Sequence, residues 1–308
     1  MSQLGPRRIL VCTKRDLAGA LVLNTLLPRL EGCAVRVLMS EKTRPVENAV
    51  PELADIKFYE RDLPVDLFFP RLDAEGLGGG SLLSFDGLAA RHGVAMDPIH
   101  DLNGPAGEAL VRDFAPDLII SARFSLIFKP HVYGIPPLGT YNIHPGALPR
   151  YAGLFAPFRC LLDGSDRIGC TLHRVDSGID TGPVVGIGYL PIERERSLLW
   201  HVVNTYQPGL TMFLAMLDDL RHGRPAQEIP QDFSQRAYGS LPDAEAFARF
   251  RASGLKLFDR DEYLELLSGF LAPGAAMPAD ILAAIDQASD PKQGQTTTEA
   301  TRCCSARA

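Results

Sequence analysis

"RRILVCTKRDLAGALVLNTLLPRLEGCAVRVLMS", residues 7–40, decides the fold. Residues 7–13 form a short apolar run between polar flanks, the pattern of a buried strand. Residues 16–30 change period: apolar positions recur at helical spacing, and Asp16 stands where an N-cap belongs. Residues 34–40 return to a strand. Strand, helix, strand opens a doubly wound parallel sheet. Working outward, 41–80 is less regular and ends in "GLGGGS", a turn, while 81–94 and 106–116 read as helices. Residues 117–121 are a third clear strand and 139–144 a fourth. A helix follows over 155–164, then strands over 167–175 and 183–192 around a glycine-rich hairpin, "DSGIDTG". Residues 197–222 predict one long helix that Pro208-Gly209 kinks or breaks. The expected fold class is therefore α/β, a Rossmann-like, doubly wound, mainly parallel sheet with a helical C-terminal extension. The expected division is a main domain over 1–225, a short mainly helical extension over 226–285, and a disordered polar tail over 286–308.

Composition narrows the function classes. With 308 residues, 46% of them hydrophobic, the chain can bury a sizeable core. A net charge of −6 with no strongly basic window speaks against a nucleic-acid partner, which needs a basic patch. No apolar run reaches the roughly 18–20 residues that span a bilayer. The basic-then-apolar start is interrupted by Lys14, Arg15 and Asp16, so a first strand is preferred to a signal peptide. Six cysteines, none in a CxxC pair, point to a reducing, cytoplasmic setting with neither a disulfide framework nor a metal site. Two of them, Cys303 and Cys304, fall in the tail.

The chemistry concentrates in "TYNIHPGALPRYAGLFAPF", residues 140–158. On a strand, period two puts Asn142 and His144 on one face. Asp180 follows in the tight turn of "VDSGIDTGP". An amide N–H can steady an oxyanion, an imidazole can share protons, and a carboxylate can orient that imidazole or take a proton. A lone strand-end histidine is more often a satisfied structural residue, and Asp-Thr-Gly is ordinary turn chemistry. His173, alternating with Thr171, could face the site or fill the core.

Order and spacing add to this. "PDLIISARFSLIFKPHVYGIPPLGTYNIHPGALPRYAGLFAPF" followed by "GCTLHRVDSGIDTGPVV" resembles the 10-formyltetrahydrofolate-dependent formyltransferase family, strongly over 116–187 and loosely elsewhere. The resemblance implies a catalytic trio of Asn142, His144 and Asp180. It implies 10-formyltetrahydrofolate as formyl donor, held mainly by backbone groups of two loops containing Phe124, Ser125, Leu126 and Phe128, and Asp176 and Ile179. Many members carry serine where this chain has Gly146, which could change hydrogen bonding or leave more room for substrate. Lys14, Arg15, Gly146 and His173 are the candidate acceptor contacts. No β-rich tRNA-gripping domain is legible after residue 197, and no regulatory module precedes strand one. The expected acceptor is therefore a small-molecule amine, with neither nucleic acid nor membrane as partner; a homodimer is compatible with this reading. The alternatives are a 10-formyltetrahydrofolate hydrolase and a methionyl-tRNA formyltransferase-like enzyme. A generic nucleotide-binding fold is disfavoured because no GxGxxG follows the first strand.

Overall fold

A computed structural model describes residues 5–289. Nine strands are present among them: β1 (Arg8–Lys14), β2 (Ala34–Ser40), β3 (Ala95–Ile99), β4 (Leu118–Ala122), β5 (Thr140–His144), β6 (Ala152–Gly153), β7 (Arg167–Arg174), β8 (Val184–Pro191) and β9 (Tyr238–Gly239). Seven make one sheet in the order β3-β2-β1-β4-β5-β7-β8. The first five are mutually parallel; β7 runs antiparallel to β5, and β8, antiparallel to β7, returns to the direction of the first five. β1 lies at the centre with Ile9, Leu10, Val11 and Cys12 fully buried. Burial on both faces is why its sequence is a continuous apolar run rather than an alternation.

The helix Leu17–Leu26 starts where Asp16 accepts from the Gly19 amide at 2.8 Å. It packs with the helix Tyr206–Arg221 on one face of the sheet, in the core that holds Tyr141, Ile143, Cys170 and Leu172. A smaller core on the opposite face gathers Leu10, Cys12, Ile119, Phe128 and Val132 under the helix Pro105–Phe114. β5 thus has two characters: Tyr141 and Ile143 enter the large core, while Asn142 and His144 face the other way.

Four sequence expectations change. The stretch 41–80 is largely helical: Val46–Ala49, Pro51–Lys57, a widened π-helical segment Phe58–Phe68, and Phe69–Ala74. Its mixed polarity and Pro64 hide the 3.6-residue period. The strand β3 was not anticipated; its Pro98 and half-exposed pattern suit an edge. The long helix divides at Thr205, giving Leu198–Asn204 and Tyr206–Arg221, and not at Pro208-Gly209. Pro208 sits in the first turn, where no N–H is needed, so the helix tolerates it. Gly209 is required for closeness: a Cβ there would stand 2.3 Å from Ile143 Cγ2. Finally, the helix Ala279–Ser289 runs past residue 286, where the tail was expected to begin. The rest of that tail, with Cys303 and Cys304, lies outside the described residues. Beyond 226 the chain holds Ala244–Ala252, Arg260–Ser268 and Ala279–Ser289, so the extension is helical apart from β9.

Candidate active site

Period two does what the sequence implied. Asn142 is register partner to Ser121 on β4 and to His173 on β7, and His144 to Thr171. After β7 the chain curls over this face before returning in β8, which brings Asp180 above β5. Asp180 Oδ1 lies 3.6 Å from His144 Nδ1 and 3.8 Å from His173 Nε2. Both distances exceed a direct hydrogen bond but leave the carboxylate between two buried imidazoles. Asp180 Oδ2 accepts the Gly153 amide at 2.8 Å.

The hydrogen-bond network fixes the tautomers. His144 Nε2 is 2.7 Å from the Tyr151 carbonyl, which can only accept, so that nitrogen carries a proton and Nδ1 turns to Asp180. His173 Nδ1 likewise donates to the Arg174 carbonyl at 2.9 Å. Its Nε2 therefore holds a lone pair and receives the Asn142 amide at 3.2 Å. One N–H of Asn142 is used in this way and its other is left to face the site. Burial, the largest cause, pushes His173 below its ordinary value of 6.5, and it outweighs the upward pull of Asp180.

That direction sets a pH dependence. The unfolded chain takes up the proton first as pH falls, so the folded state keeps its full margin above about 6.5 and loses stability below it. His201, also pushed down mainly by burial, acts in the same direction. His173→Gln should therefore reduce, without abolishing, the fall of Tm between about pH 6.5 and 5. An unchanged Tm–pH slope in the variant would refute the assignment.

The other expected residues are placed as follows. Phe124 to Phe128 form a loop after β4, not a strand. Ser125 is anchored through its amide and hydroxyl to Ser40 Oγ at 3.0 and 2.8 Å. The rings of Phe124 and Phe128 lie 5.4 Å apart and, with Leu126 and Val175, border the smaller core. No hydrogen bond among the described residues uses the main-chain groups of Phe124, Leu126 or Phe128. Asp176 caps its own turn through Gly178 N and Thr181 Oγ1, and the Ile179 side chain is exposed. Lys14 and Arg15 each face a carboxylate. Lys14 lies 3.9 Å from Asp16 and Arg15 donates to Glu41 at 3.1 Å. Gly146 offers no extra room either: a Cβ there would meet Tyr151 O at 2.6 Å and His144 Nε2 at 2.8 Å.

Sequence reasoning missed the residues that hold this arrangement. Asp180 has a left-handed backbone, φ 54°. Its carbonyl is gripped by Gln231 Nε2 at 3.1 Å, and Arg236 Nη2 grips the neighbouring Ile179 carbonyl at 3.0 Å. β9 then pairs with β6, setting Gly153 opposite Gly239. Asn103 secures the other loop, donating to Ile127 O at 2.7 Å and accepting from Lys129 N at 2.8 Å. Only contacts between residues 24 to 86 apart in the chain reveal these roles. Arg236→Ala should lower turnover about tenfold with Tm nearly unchanged, because it frees a loop and not the core. A turnover equal to wild type would show that β9 and Gln231 suffice.

Comparison with known proteins agrees with this fold. Residues 101–199 match the formyl transferase family model. A methionyl-tRNA formyltransferase of Dehalococcoides mccartyi (strain BAV1) is 37% identical over 158 residues, 51% of this chain and 50% of that one. That of Pelobacter propionicus is 31% identical over 154 residues, 50% of this chain and 48% of that one. The chain spans about half the length of the curated relatives it matches. The fold superposes on a 4-N formyltransferase from Francisella tularensis with TM-score 0.51 at 16% identity, covering 78% of each chain. It superposes on glycinamide ribonucleotide transformylase 1 from Symbiobacterium toebii with TM-score 0.51 at 18% identity, covering 75% of this chain and 96% of that one. The segment that matches the formyl transferase family model, residues 101–199, is the one that carries Asn142, His144, His173 and Asp180.

Proposed function

We propose that the protein transfers a formyl group from 10-formyltetrahydrofolate to the amine of a small molecule, giving a formamide and tetrahydrofolate. The observation that carries this is the placement of Asp180 against His144 and His173, beside an Asn142 amide with one N–H uncommitted. The donor fits the site: the loop Phe124–Phe128 offers unpaired main-chain groups against an apolar wall, which suits a flat heterocycle read by its edge. Bound there, it supplies an electrophilic formyl carbon.

The chain's own residues would do the rest. Asn142's free N–H and the Nδ1 side of a protonated His144 would hold negative charge as it builds on the formyl oxygen. Asp180, as a carboxylate, would stand as counterion to His144 until the amine attacks, and its Oδ1 would then receive the amine's proton. His173, held neutral by burial, would orient Asn142 through the 3.2 Å contact.

A second reading rests on the two curated relatives described above, both named methionyl-tRNA formyltransferases. Against a tRNA acceptor stand the net charge of −6 and an extension whose described residues hold helices and one two-residue strand. The test is direct. Purified protein is given 10-formyltetrahydrofolate with either a pool of small amines or methionyl-tRNA, and formylated products are read by mass spectrometry. A formylated small amine supports the proposal. Product from methionyl-tRNA alone, or tetrahydrofolate released at full rate without any acceptor, overturns it in favour of the tRNA enzyme or a hydrolase.

A further inference from the structure

A cavity of about 430 Å³, within the size range of small-molecule sites, is lined by Glu60, which is bonded to Arg123 at the carboxyl end of β4. It is built by parts of the chain outside the 101–199 family segment as well as within it. Ile56, Leu199, Val202, Leu257 and Phe258 make most of its apolar wall. Two of its lining residues connect it to the candidate active site. Phe155 comes two residues after Gly153, the residue whose amide holds Asp180, and has a left-handed backbone with φ 55°. Glu60 is bonded to Arg123, which follows β4 two residues after Ser121, the register partner of Asn142. Open α/β sheets bind ligands outside the carboxyl ends of their strands, and the Glu60–Arg123 pair joins this cavity to the carboxyl end of β4.

Its charges are nearly all committed. Glu60 is paired with Arg123, Arg251 with Glu52, Arg260 with Asp286, and Asp259 with Lys256. Asp55 is the exception: among the described residues its carboxylate has neither a hydrogen bond nor an ion pair, and it lines the cavity. The alternative anion site, the start of the helix Leu17–Leu26, is closed. Asp16 caps it and is itself bonded to Arg123 at 2.9 Å. An acceptor held there by a phosphate would meet a carboxylate.

We propose that this cavity receives the acceptor, an amphipathic diamine or comparable dication. Its apolar body would lie along Leu199, Val202 and Phe258, and its non-reacting cation would pair with Asp55. This rests on the formyltransferase reading above and names its substrate class. Asp55 is an exposed residue; partial desolvation, and then the neighbouring Glu52, still push its carboxyl up, a penalty that a bound cation relieves. In the reaction the reacting nitrogen bonds to the formyl carbon, the donor's N–C bond breaks, and the amine's proton passes to the protein while the donor nitrogen takes one up.

The test uses the full chain and three probes of equal length: 1,8-diaminooctane, n-octylamine and 1-octanol. Calorimetry should show the diamine binding about three- to tenfold more tightly than the monoamine, as a partly exposed ion pair allows. Asp55→Asn should remove that preference and leave monoamine binding unchanged. Val202→Phe, or Ile56→Phe should the first fail to fold, should weaken all three probes by filling the cavity. Equal affinities for all three probes, or a diamine preference that survives Asp55→Asn, overturns the proposal. Diamine that binds at Asp55 but gains no formyl group while other amines do also overturns it. Binding of 5-formyltetrahydrofolate, measured separately, reports on the donor site: its absence would sink the formyltransferase reading and leave the cavity result standing.

Discussion

Asp180→Asn should lower turnover by about 10²–10⁴-fold, the usual worth of a positioned acid–base group, while Tm shifts by no more than a few degrees. The variant is chosen for what it keeps. An asparagine there still has an oxygen to accept the Gly153 amide, now at 2.8 Å, and the Gln231 and Arg236 contacts go to main-chain carbonyls that the change does not touch. Asparagine also tolerates the left-handed backbone at this position better than most residues do. What it removes is the negative charge 3.6 Å from His144 and 3.8 Å from His173. With that charge gone, a protonated His144 has no counterion and the amine's proton has no acceptor. Steady-state kinetics with a formyl-accepting amine, beside a thermal melt, checks both halves. A loss of turnover matched by an equal loss of folded protein would show that Asp180 only braces the loop. Wild-type turnover would remove it from the chemistry.

The sequence carried the strand–helix–strand opening and the Asn142–His144 pair because both follow local periodicity. Asp16 as a cap was legible for the same reason: its partner, Gly19, is three residues away. The helical region over 46–74 was hidden by Pro64 and by a widened turn that breaks the 3.6-residue period. Gln231 and Arg236 were hidden by distance. They act on carbonyls 49–57 residues earlier, and nothing in "QDFSQRAYG" marks a side chain that will reach for a backbone oxygen. Lys14 and Arg15 read as free cations in the letters; in the fold each faces a carboxylate, Asp16 at 3.9 Å and Glu41 at 3.1 Å. The candidate trio of Asn142, His144 and Asp180 was legible as residue types in order. Its support was not, because support depends on three-dimensional closeness and not on residue type.

Gly146→Ser should be destructive for so small a substitution, although serine is what the family resemblance leads one to expect there. The residue is not needed for its backbone, since its φ lies outside the left-handed region; it is needed for its missing side chain. A Cβ would approach the Tyr151 carbonyl to 2.6 Å, the Ala156 Cβ to 2.8 Å and His144 Nε2 to 2.8 Å. None of these is the far end of a flexible chain. The Tyr151 carbonyl is backbone and accepts His144, while Ala156 is fully buried at the start of the helix Ala156–Leu162. Overpacking of this kind costs about 1–3 kcal/mol, which lowers Tm by several degrees in a chain of this size. The larger effect falls on turnover. The added carbon wedges between His144 and the carbonyl that fixes its tautomer, and a displacement near 1 Å of a reacting group can cost about 10²-fold. Gly146→Ala, which adds the carbon without the hydroxyl, should fail to the same degree. If the alanine variant is crippled while the serine variant is active, the hydroxyl has replaced the His144–Tyr151 bond, and the site accepts the arrangement of its relatives. If both keep wild-type turnover, the loop from Pro145 to Tyr151 moves freely enough that the 2.7 Å contact does not set the position of His144.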